Sequence, residues 1–578
     1  MSRNLAVDSV LGCEAANLFQ KFYSGCKGAF WTKEWKVAFL LSSALVLFEN
    51  IVFKVYARYA ETLLTFNSYM ALAVAFGIAV SFVWLFIFIG ASFCAQKFYR
   101  VIYFTLFALV ILFQYSYQMA VGHFVTLEEF VLAIWQTDVS LKLAMSRSYF
   151  NLLAFIPISA YAGCLILTKA KAKTGWKTLL AVLLTAFGMY SGLVLSTQAN
   201  FSTTSLNAFA LTLASLAWNS SSVYNGPRED IPNRAVSRPH NNVILVIDES
   251  IKAEHLSLNG YERSTTPYLE ELSRAGYLTN WGIAVAGANS SVSSNILLWT
   301  GFPTAKLPDL DNATRKMPTI FQYARAMGYT THYFDSQLTT RWIGTDYDSN
   351  FIDDIRLADR FQTQSEFDAD FALAHAIVDV IDGSVGNFIV ANKKGAHFPY
   401  INKFPKQDIV WRPSQMAYMP QPQVPRAELI NAYDNAIRYN LEGFFRSLDL
   451  THRKWETALI YTSDHGQNLC EHGEPASHAS EYSNGRDKLK TEVTVPLFML
   501  SSRREHWETK EQFNKAAHNN IFATILDLMG FPQSGRPHQY GQSLLSSEPF
   551  KSGPRYFFAG YKLNRRLITE GVLSFEEP

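Results

Sequence analysis

The chain is poor in cysteine, with five among 578 residues: Cys13, Cys26, Cys94, Cys164 and Cys470. No two form a CxxC pair, so a thiolate zinc site of that kind is excluded. Only Cys470 lies beyond residue 200, so the second half cannot hold an internal disulfide in any compartment. Net charge is also scarce, since 51 Lys and Arg against 49 Asp and Glu leave +2. With no basic stripe to track phosphates, no nucleic acid partner is expected. Residues 1–35 lack the short apolar core of a cleavable signal peptide. They are mixed and charged, and are expected to form a cytoplasmic N-terminal segment.

What the first 200 residues have instead is long apolar runs. Crossing a bilayer takes roughly 20 such residues, and five segments qualify, near 37–56, 69–93, 101–121, 149–168 and 178–197. The first is interrupted by Glu49, Asn50 and Lys54, and Glu49 is either an interfacial acid or a group facing a polar headgroup cavity. Lysines and arginines crowd alternate ends: Lys21, Lys27 and Lys33 before the first segment, Lys97 and Arg100 after the second, and Lys169, Lys171, Lys173 and Lys177 after the fourth. The positive-inside rule then places the N-terminus in the cytoplasm, and five crossings place the remainder on the outer side. Residues 36–200 are thus expected to form a five-helix transmembrane domain. Residues 201–241 form a linker, in which LNAFALTLASLAW (206–218) is too short to span and is expected to lie in the interface.

From residue 242 to 578 the pattern changes. NVILVIDES (242–250), THYFDS (331–336), NFIVAN (387–392), ALIYTSDHG (458–466) and TVPLFMLS (494–501) are strand-like runs ending on polar residues. TTPYLEELSRAG (265–276) and MPTIFQYARAMG (317–328) between them are helix-like. This alternation predicts an α/β domain with a mostly parallel central sheet, and such sheets place their sites beyond the carboxyl ends of the strands. The strand ends offer Asp248 with Glu249, Asp464 with His465, and, in KKGAHFPY (393–400), His397; Glu471, His472 and His478 follow. Carboxylates with an imidazole form an O/N donor set of the zinc type. AGANSSVSSN (286–295) adds four hydroxyls, Ser290, Ser291, Ser293 and Ser294, at a turn entering a helix whose N-terminus would face an anion.

These stretches, in this order, resemble the bacterial phosphoethanolamine transferases, membrane-anchored enzymes with an alkaline-phosphatase-like, sulfatase-related domain. DESIKAEHLSLNGYERSTTPYLEEL (248–272) is similar to the family's opening motif, GANSSVSS (287–294) falls where its nucleophile lies, GAHFPY (395–400) resembles H-x-P-Y, and SDHGQNLCEHG (463–473) resembles S-D-H-G-x-x-x-x-E-x-G. AHNNIFATILDLMG (517–530) is a weaker echo, expected to be structural.

The resemblance implies that Glu249, Asp464 and His465 bind a catalytic metal, Zn²⁺ or alternatively Mn²⁺, together with Ser290. Counting from Gly287, Ser290 takes the place of the family's threonine nucleophile, with Ser291 and Ser293 as rivals. It implies that His397 acts in catalysis and that His397 and His478 (or His472 in its place) contact the phosphoryl group or a second metal. Thr137, in WQTDVSLKLAM (135–145), and Lys252, at an arginine of the family motif, are implied contacts to the headgroup. The family's Asn and Glu in that loop are here Ala133 and Leu141, and its outer-domain disulfides have no counterpart.

The implied reaction moves phosphoethanolamine from phosphatidylethanolamine to a lipid or glycan acceptor such as lipid A, lipopolysaccharide core or a related glycan. It passes through a phosphorylated serine, in a monomer of the Gram-negative inner membrane with its catalytic domain in the periplasm. A glycerol-phosphate transferase or a phosphodiesterase on the same metal set is the enzymatic alternative, and a catalytically silent lipid-binding scaffold the non-enzymatic one. The C/S-x-P-x-R pattern of a sulfatase nucleophile does not follow Gly287.

Overall fold

The computed structural model describes residues 32–53, 68–121, 151–168, 176–182, 184, 224, 226–231, 239–338, 349–361, 367–415, 424–471, 486–504, 511–551, 553–560 and 571–576. The chain divides into two compact units, Met1–Ser221 and Ser222–Pro578.

The first unit is helical: α1 (Lys33–Phe53), α2 (Ser68–Cys94), α3 (Lys97–Val121) and α4 (Phe155–Leu167) fall on the first four apolar segments. By length and composition, Lys33–Phe53 and Lys97–Gln118 suffice to cross a membrane. The fifth segment is described, as helix, only at its start, while the 206–218 linker helix and the loop carrying Thr137 lie outside the described residues. Aromatic contacts join the helices, with Trp35 edge-on to Phe86 at 5.1 Å and Phe107 against Tyr161 at 4.4 Å. A helix end leaves its last carbonyls without intrahelical partners. Arg100 meets that need for two helices at once. It donates to Phe93 and Ala95 at the end of α2, and to Leu165 and Thr168 at the end of α4. Glu49 is buried, and the Tyr115 hydroxyl donates to its Oε1 at 3.3 Å.

Among the described residues, the main sheet of the second unit has seven strands: β1 (Asn242–Asp248), β2 (Leu278–Val285), β3 (Thr330–Asp335), β4 (Asp354–Arg356), β5 (Asn387–Asn392), β6 (Thr457–Ser463) and β7 (Thr494–Ser501). Their order is β2-β7-β6-β1-β5-β3-β4. Neighbours pair in parallel from β6 through to β4, and β7 alone runs opposite to its partners β6 and β2. The continuous apolar sequence of β1 reflects helices on both faces. Val243, Leu245 and Ile247 join one core, with Ile521, Phe522 and Ile525 of α10 (Ile521–Leu528). Ile244 and Val246 join the other, with Ala432, Ile437, Leu441 and Phe444 of α9 (Arg426–Leu448).

The helix-like stretches form α5 (Pro267–Arg274) and α7 (Ile320–Ala326), between which α6 spans Ser291–Thr300; α8 spans Ala369–Gly383. A separate two-stranded sheet pairs β8 (Tyr556–Ala559) with β9 (Gly571–Ser574). The strand expectations for 387–392 and 494–501 match β5 and β7 to the residue.

Candidate metal centre and nucleophile

The central pair β1 and β6 sets the site. Their parallel register places Asp248 opposite Ser463, so the residues that follow, Glu249 and Asp464, leave the sheet side by side. The pairing continues beyond the strands as Asp464 N–H donates to the Asp248 carbonyl at 2.8 Å. Ser250 adopts a left-handed backbone (φ 61°) and turns the chain back over β6. Its N–H donates to Asp464 Oδ1 at 3.2 Å, and Ile251 N–H to Ser463 Oγ at 2.8 Å. Two loops are thereby locked together at the carboxyl ends of the central strands.

Within that lock, Glu249, Asp464 and His465 each turn a ligand atom to a common point, all three within 4.8 Å of one another and all buried. His465 Nδ1 faces the Gly466 carbonyl at 2.7 Å. A carbonyl only accepts, so Nδ1 carries the hydrogen and Nε2 is the ligating nitrogen. Nε2 lies 3.4 Å from Glu249 Oε1 and 3.6 Å from Asp464 Oδ2. Burial, with the nearby charge of Glu249, raises the Asp464 carboxyl above its ordinary range. Burial alone would lower the His465 imidazole, but Asp464 and Glu249 overcome it and raise its pKa. Two crowded buried carboxylates therefore demand positive charge, from a proton or from a cation. Two carboxylate oxygens, an imidazole nitrogen and an adjacent hydroxyl suit a four-coordinate divalent ion such as Zn²⁺. The donor set fits the metal that the sequence implies.

The hydroxyl is not the expected one. Ser290 caps α6 with extended backbone, and its Oγ donates to the Gly560 carbonyl at 2.9 Å. Ser293 Oγ donates to the same carbonyl at 3.0 Å. Ser291, the first residue of α6, stands 3.3 Å from Glu249 Oε2 and 3.3 Å from His465 Nε2. The hydroxyl beside the carboxylate–imidazole set is thus that of Ser291, and the Ser290 hydroxyl points to Gly560. Stepping from the cap to the first helical position turns the side chain to another face, and Gly560 takes the hydroxyl that faces away from the carboxylates.

The remaining sequence candidates separate. His397 Nδ1 hydrogen-bonds the Phe398 carbonyl at 2.6 Å. Burial, aided by Lys403 and opposed by Glu249, lowers its pKa, so a neutral ring is favoured. Lys252 is buried, and its ammonium pairs with Glu471 Oε1 at 2.8 Å. His472, His478 and Thr137 lie outside the described residues.

Several supporting residues were not among the sequence candidates. Lys393 Nζ pairs with Asp248 Oδ2 at 2.5 Å, both fully buried. Gly395 (φ 48°) lies so close that a Cβ would meet Asp248 Oδ1 at 2.2 Å and the Glu249 backbone at 2.6 Å, so only glycine fits. His518, in the stretch expected to be structural, links three segments of the site. Its Nδ1 accepts from Gly287 N–H at 3.2 Å and lies 3.2 Å from Ser294 Oγ, while Nε2 lies 3.1 Å from Thr462 Oγ1. Ser294 Oγ donates in turn to the Asp464 carbonyl at 2.5 Å.

A mostly parallel sheet thus brings a carboxylate–carboxylate–imidazole set and a helix-borne serine together beyond the carboxyl ends of its strands, an arrangement that can hold a divalent cation beside a hydroxyl. The family described as sulfatase matches residues 241–531, and the chain belongs to that family. Among curated proteins it is similar to the Kdo(2)-lipid A phosphoethanolamine 7''-transferase of Escherichia coli K12, 24% identical over 244 residues, 40% of this chain and 41% of that one. It is likewise similar to phosphoethanolamine transferase EptC of the same strain, 24% identical over 335 residues and 56% of each chain. The matched stretches thus span 41% and 56% of these two relatives. Among solved structures, the integral membrane lipooligosaccharide phosphoethanolamine transferase A (EptA) of Neisseria meningitidis aligns over 85% of this chain and 95% of that one, with a TM-score of 0.59 at 19% identity. That likeness establishes a shared fold.

Proposed function

We propose that this protein is a membrane-anchored phosphoethanolamine transferase that takes its group from phosphatidylethanolamine and delivers it to an envelope acceptor of the lipid A or lipopolysaccharide class. The observation that carries this reading is the Ser291 hydroxyl beside the buried Glu249–Asp464–His465 set. The curated relatives named above support the choice of group, and the missing C/S-x-P-x-R pattern argues against sulfate-ester chemistry.

Glu249, Asp464 and His465 would hold Zn²⁺, with Ser291 Oγ as their neighbour. The cation supplies positive charge and Lewis acidity next to that hydroxyl. Ser291 Oγ attacks phosphorus, the phosphorus–oxygen bond to the glycerol breaks, and diacylglycerol departs with the serine proton. Phosphoethanolamine then rests on Ser291 as an ester. In the second half, an acceptor hydroxyl or phosphate oxygen attacks phosphorus, and Ser291 Oγ leaves and regains a proton, completing a ping-pong cycle. The N-terminus of α6, which begins at Ser291, favours the negative charge of the phosphoryl oxygens. His397, neutral and held through Nδ1, would present Nε2 to the phosphoryl group or to a second ion, a place that His478 would share.

The proposed domain plan is a cytoplasmic segment (1–35), five crossings (36–200), a linker (201–241) and a periplasmic catalytic domain (242–578) in the inner membrane, acting as a monomer. A donor lipid suits a chain that carries its own apolar helices, because the catalytic unit then stays tethered to the leaflet. Mass spectrometry of envelope lipids with and without the protein tests the function. An added phosphoethanolamine on a lipid species, with diacylglycerol accumulating, is expected; unchanged envelope lipids overturn the reading. A reporter fused at residue 578 should be active only in the periplasm.

A further inference from the structure

Glu249 receives a donor from a strand that the catalytic motifs do not include. Gln337, just beyond β3, directs its Nε2 to Glu249 Oε2 at 2.9 Å. The same oxygen lies 3.3 Å from Ser291 Oγ, while Oε1 accepts from Ser250 Oγ at 2.5 Å and lies 3.4 Å from His465 Nε2. A carboxylate only accepts, so the nitrogen end of the Gln337 amide is the end that faces it.

The backbone of Gln337 is itself anchored. Its N–H and that of Leu338 both donate to Asp335 Oδ1, at 2.8 and 2.9 Å. Asp335 is fully buried, and its Oδ2 accepts from the Tyr333 hydroxyl at 2.6 Å and Asn392 Nδ2 at 3.1 Å. The chain of contacts therefore runs from the β3–β5 pair, through Asp335 and Gln337, to Glu249. A rigid element holds the amide, and the amide holds the carboxylate.

The choice of an amide is chemically specific. Lysine or arginine here would also donate, but would cancel the negative charge that draws a cation. A neutral donor orients Glu249 and leaves its charge for the metal. Partners of this type orient metal ligands, and losing one weakens metal affinity by about 10- to 100-fold.

We infer that Gln337 is a positioning residue for the metal centre, fixing the Glu249 carboxylate in the orientation that binds the cation. This rests on the metal-centre reading above. The test is zinc titration of the full-length protein in detergent against a chromophoric chelator, with Q337L as the nearly isosteric variant that cannot donate. Wild type should bind zinc stoichiometrically. Q337L should bind it about 10- to 100-fold more weakly, with the melting temperature of the metal-free protein unchanged. A Q337L dissociation constant within twofold of wild type overturns the inference and leaves the metal centre standing. Failure of wild type to bind zinc overturns both. If Q337L does not fold, Q337A is titrated in its place, and wild-type affinity there is equally fatal.

Discussion

The Ser291 hydroxyl stands 3.3 Å from His465 Nε2, whereas that of its neighbour Ser290 is turned to the carbonyl of Gly560. One position along the chain separates a hydroxyl at the candidate metal centre from one that ties α6 to the segment after β8. Ser291→Ala should therefore lower transfer on the order of a thousandfold or more, the scale of nucleophile removal. Ser290→Ala should stay within a few-fold of wild type and lose stability of about 0.5–1.5 kcal/mol for one hydrogen bond, since Ser293 Oγ still donates to the Gly560 carbonyl. Diacylglycerol release from phosphatidylethanolamine, measured alongside thermal melting, separates the two outcomes.

Removing a ligand should remove the metal. Asp464→Asn keeps the shape of the side chain, and its Oδ1 can still accept from His465 N–H and Ser250 N–H. It discards the charge that the cation needs. Zinc affinity should fall by more than the roughly 10- to 100-fold that an outer partner carries. Elemental analysis of the purified variant, beside wild type treated with a chelator and then reloaded, checks this. Stoichiometric zinc in Asp464→Asn would contradict the assignment.

The buried ion pair beneath the site makes a stability prediction. Lys393→Met leaves Asp248 fully buried without its cation and takes the same ammonium from Asp370, 3.9 Å away, which should cost about 3–5 kcal/mol. The double variant Lys393→Met/Asp248→Asn removes both charges and should recover much of that loss. Denaturant midpoints of the four members of this cycle give the coupling directly.

Acid should weaken the fold partly through His518. Burial lowers its pKa from 6.5 to about 3. Between those values the unfolded chain binds a proton that the native chain does not, so stability falls as pH falls through this window. Above about pH 6.5 the imidazole is neutral in both states and its contribution is flat. His518→Gln should make the decline between pH 6.5 and pH 4.5 shallower than in wild type. Unfolding midpoints at the two pH values measure the difference; parallel declines would contradict it.

The sheet was legible because physics wrote it twice. β1, β5, β6 and β7 are covered on both faces, so they appear as unbroken apolar runs, and the polar ends of the parallel strands β1, β5 and β6 mark the end of the sheet where the site lies. Asp464 and His465 could be singled out for that reason, and Glu249 because its place after β1 mirrors theirs. β2, LTNWGIAV, went unrecognised because Thr279, Asn280 and Gly282 break its apolar pattern, and its pairing with β7 shifts register between Asn280 and Ile283. The choice among four serines was beyond sequence, since the rotation of a helix's first turn fixes which hydroxyl faces the ligands. Gln337 and Lys393 were invisible for another reason. Each is an ordinary loop residue whose meaning comes from a partner 88 or 145 positions away.

In the first unit, Arg100 shows the same limit. Its place between two apolar segments marked it as an orientation signal, while its hydrogen bonds to the ends of α2 and α4 required the packed helices. Arg100→Leu should leave those carbonyls without their donor and lower the thermal stability of the detergent-solubilised protein, read as an earlier loss of helical circular dichroism.

The most direct test is to incubate the zinc-loaded protein with phosphatidylethanolamine in the absence of acceptor and map the modified residue by peptide mass spectrometry. A single phosphoethanolamine on Ser291, absent from Ser291→Ala and from the chelated protein, is the predicted result. An adduct on Ser290, or diacylglycerol release with no covalent adduct at all, would contradict the account.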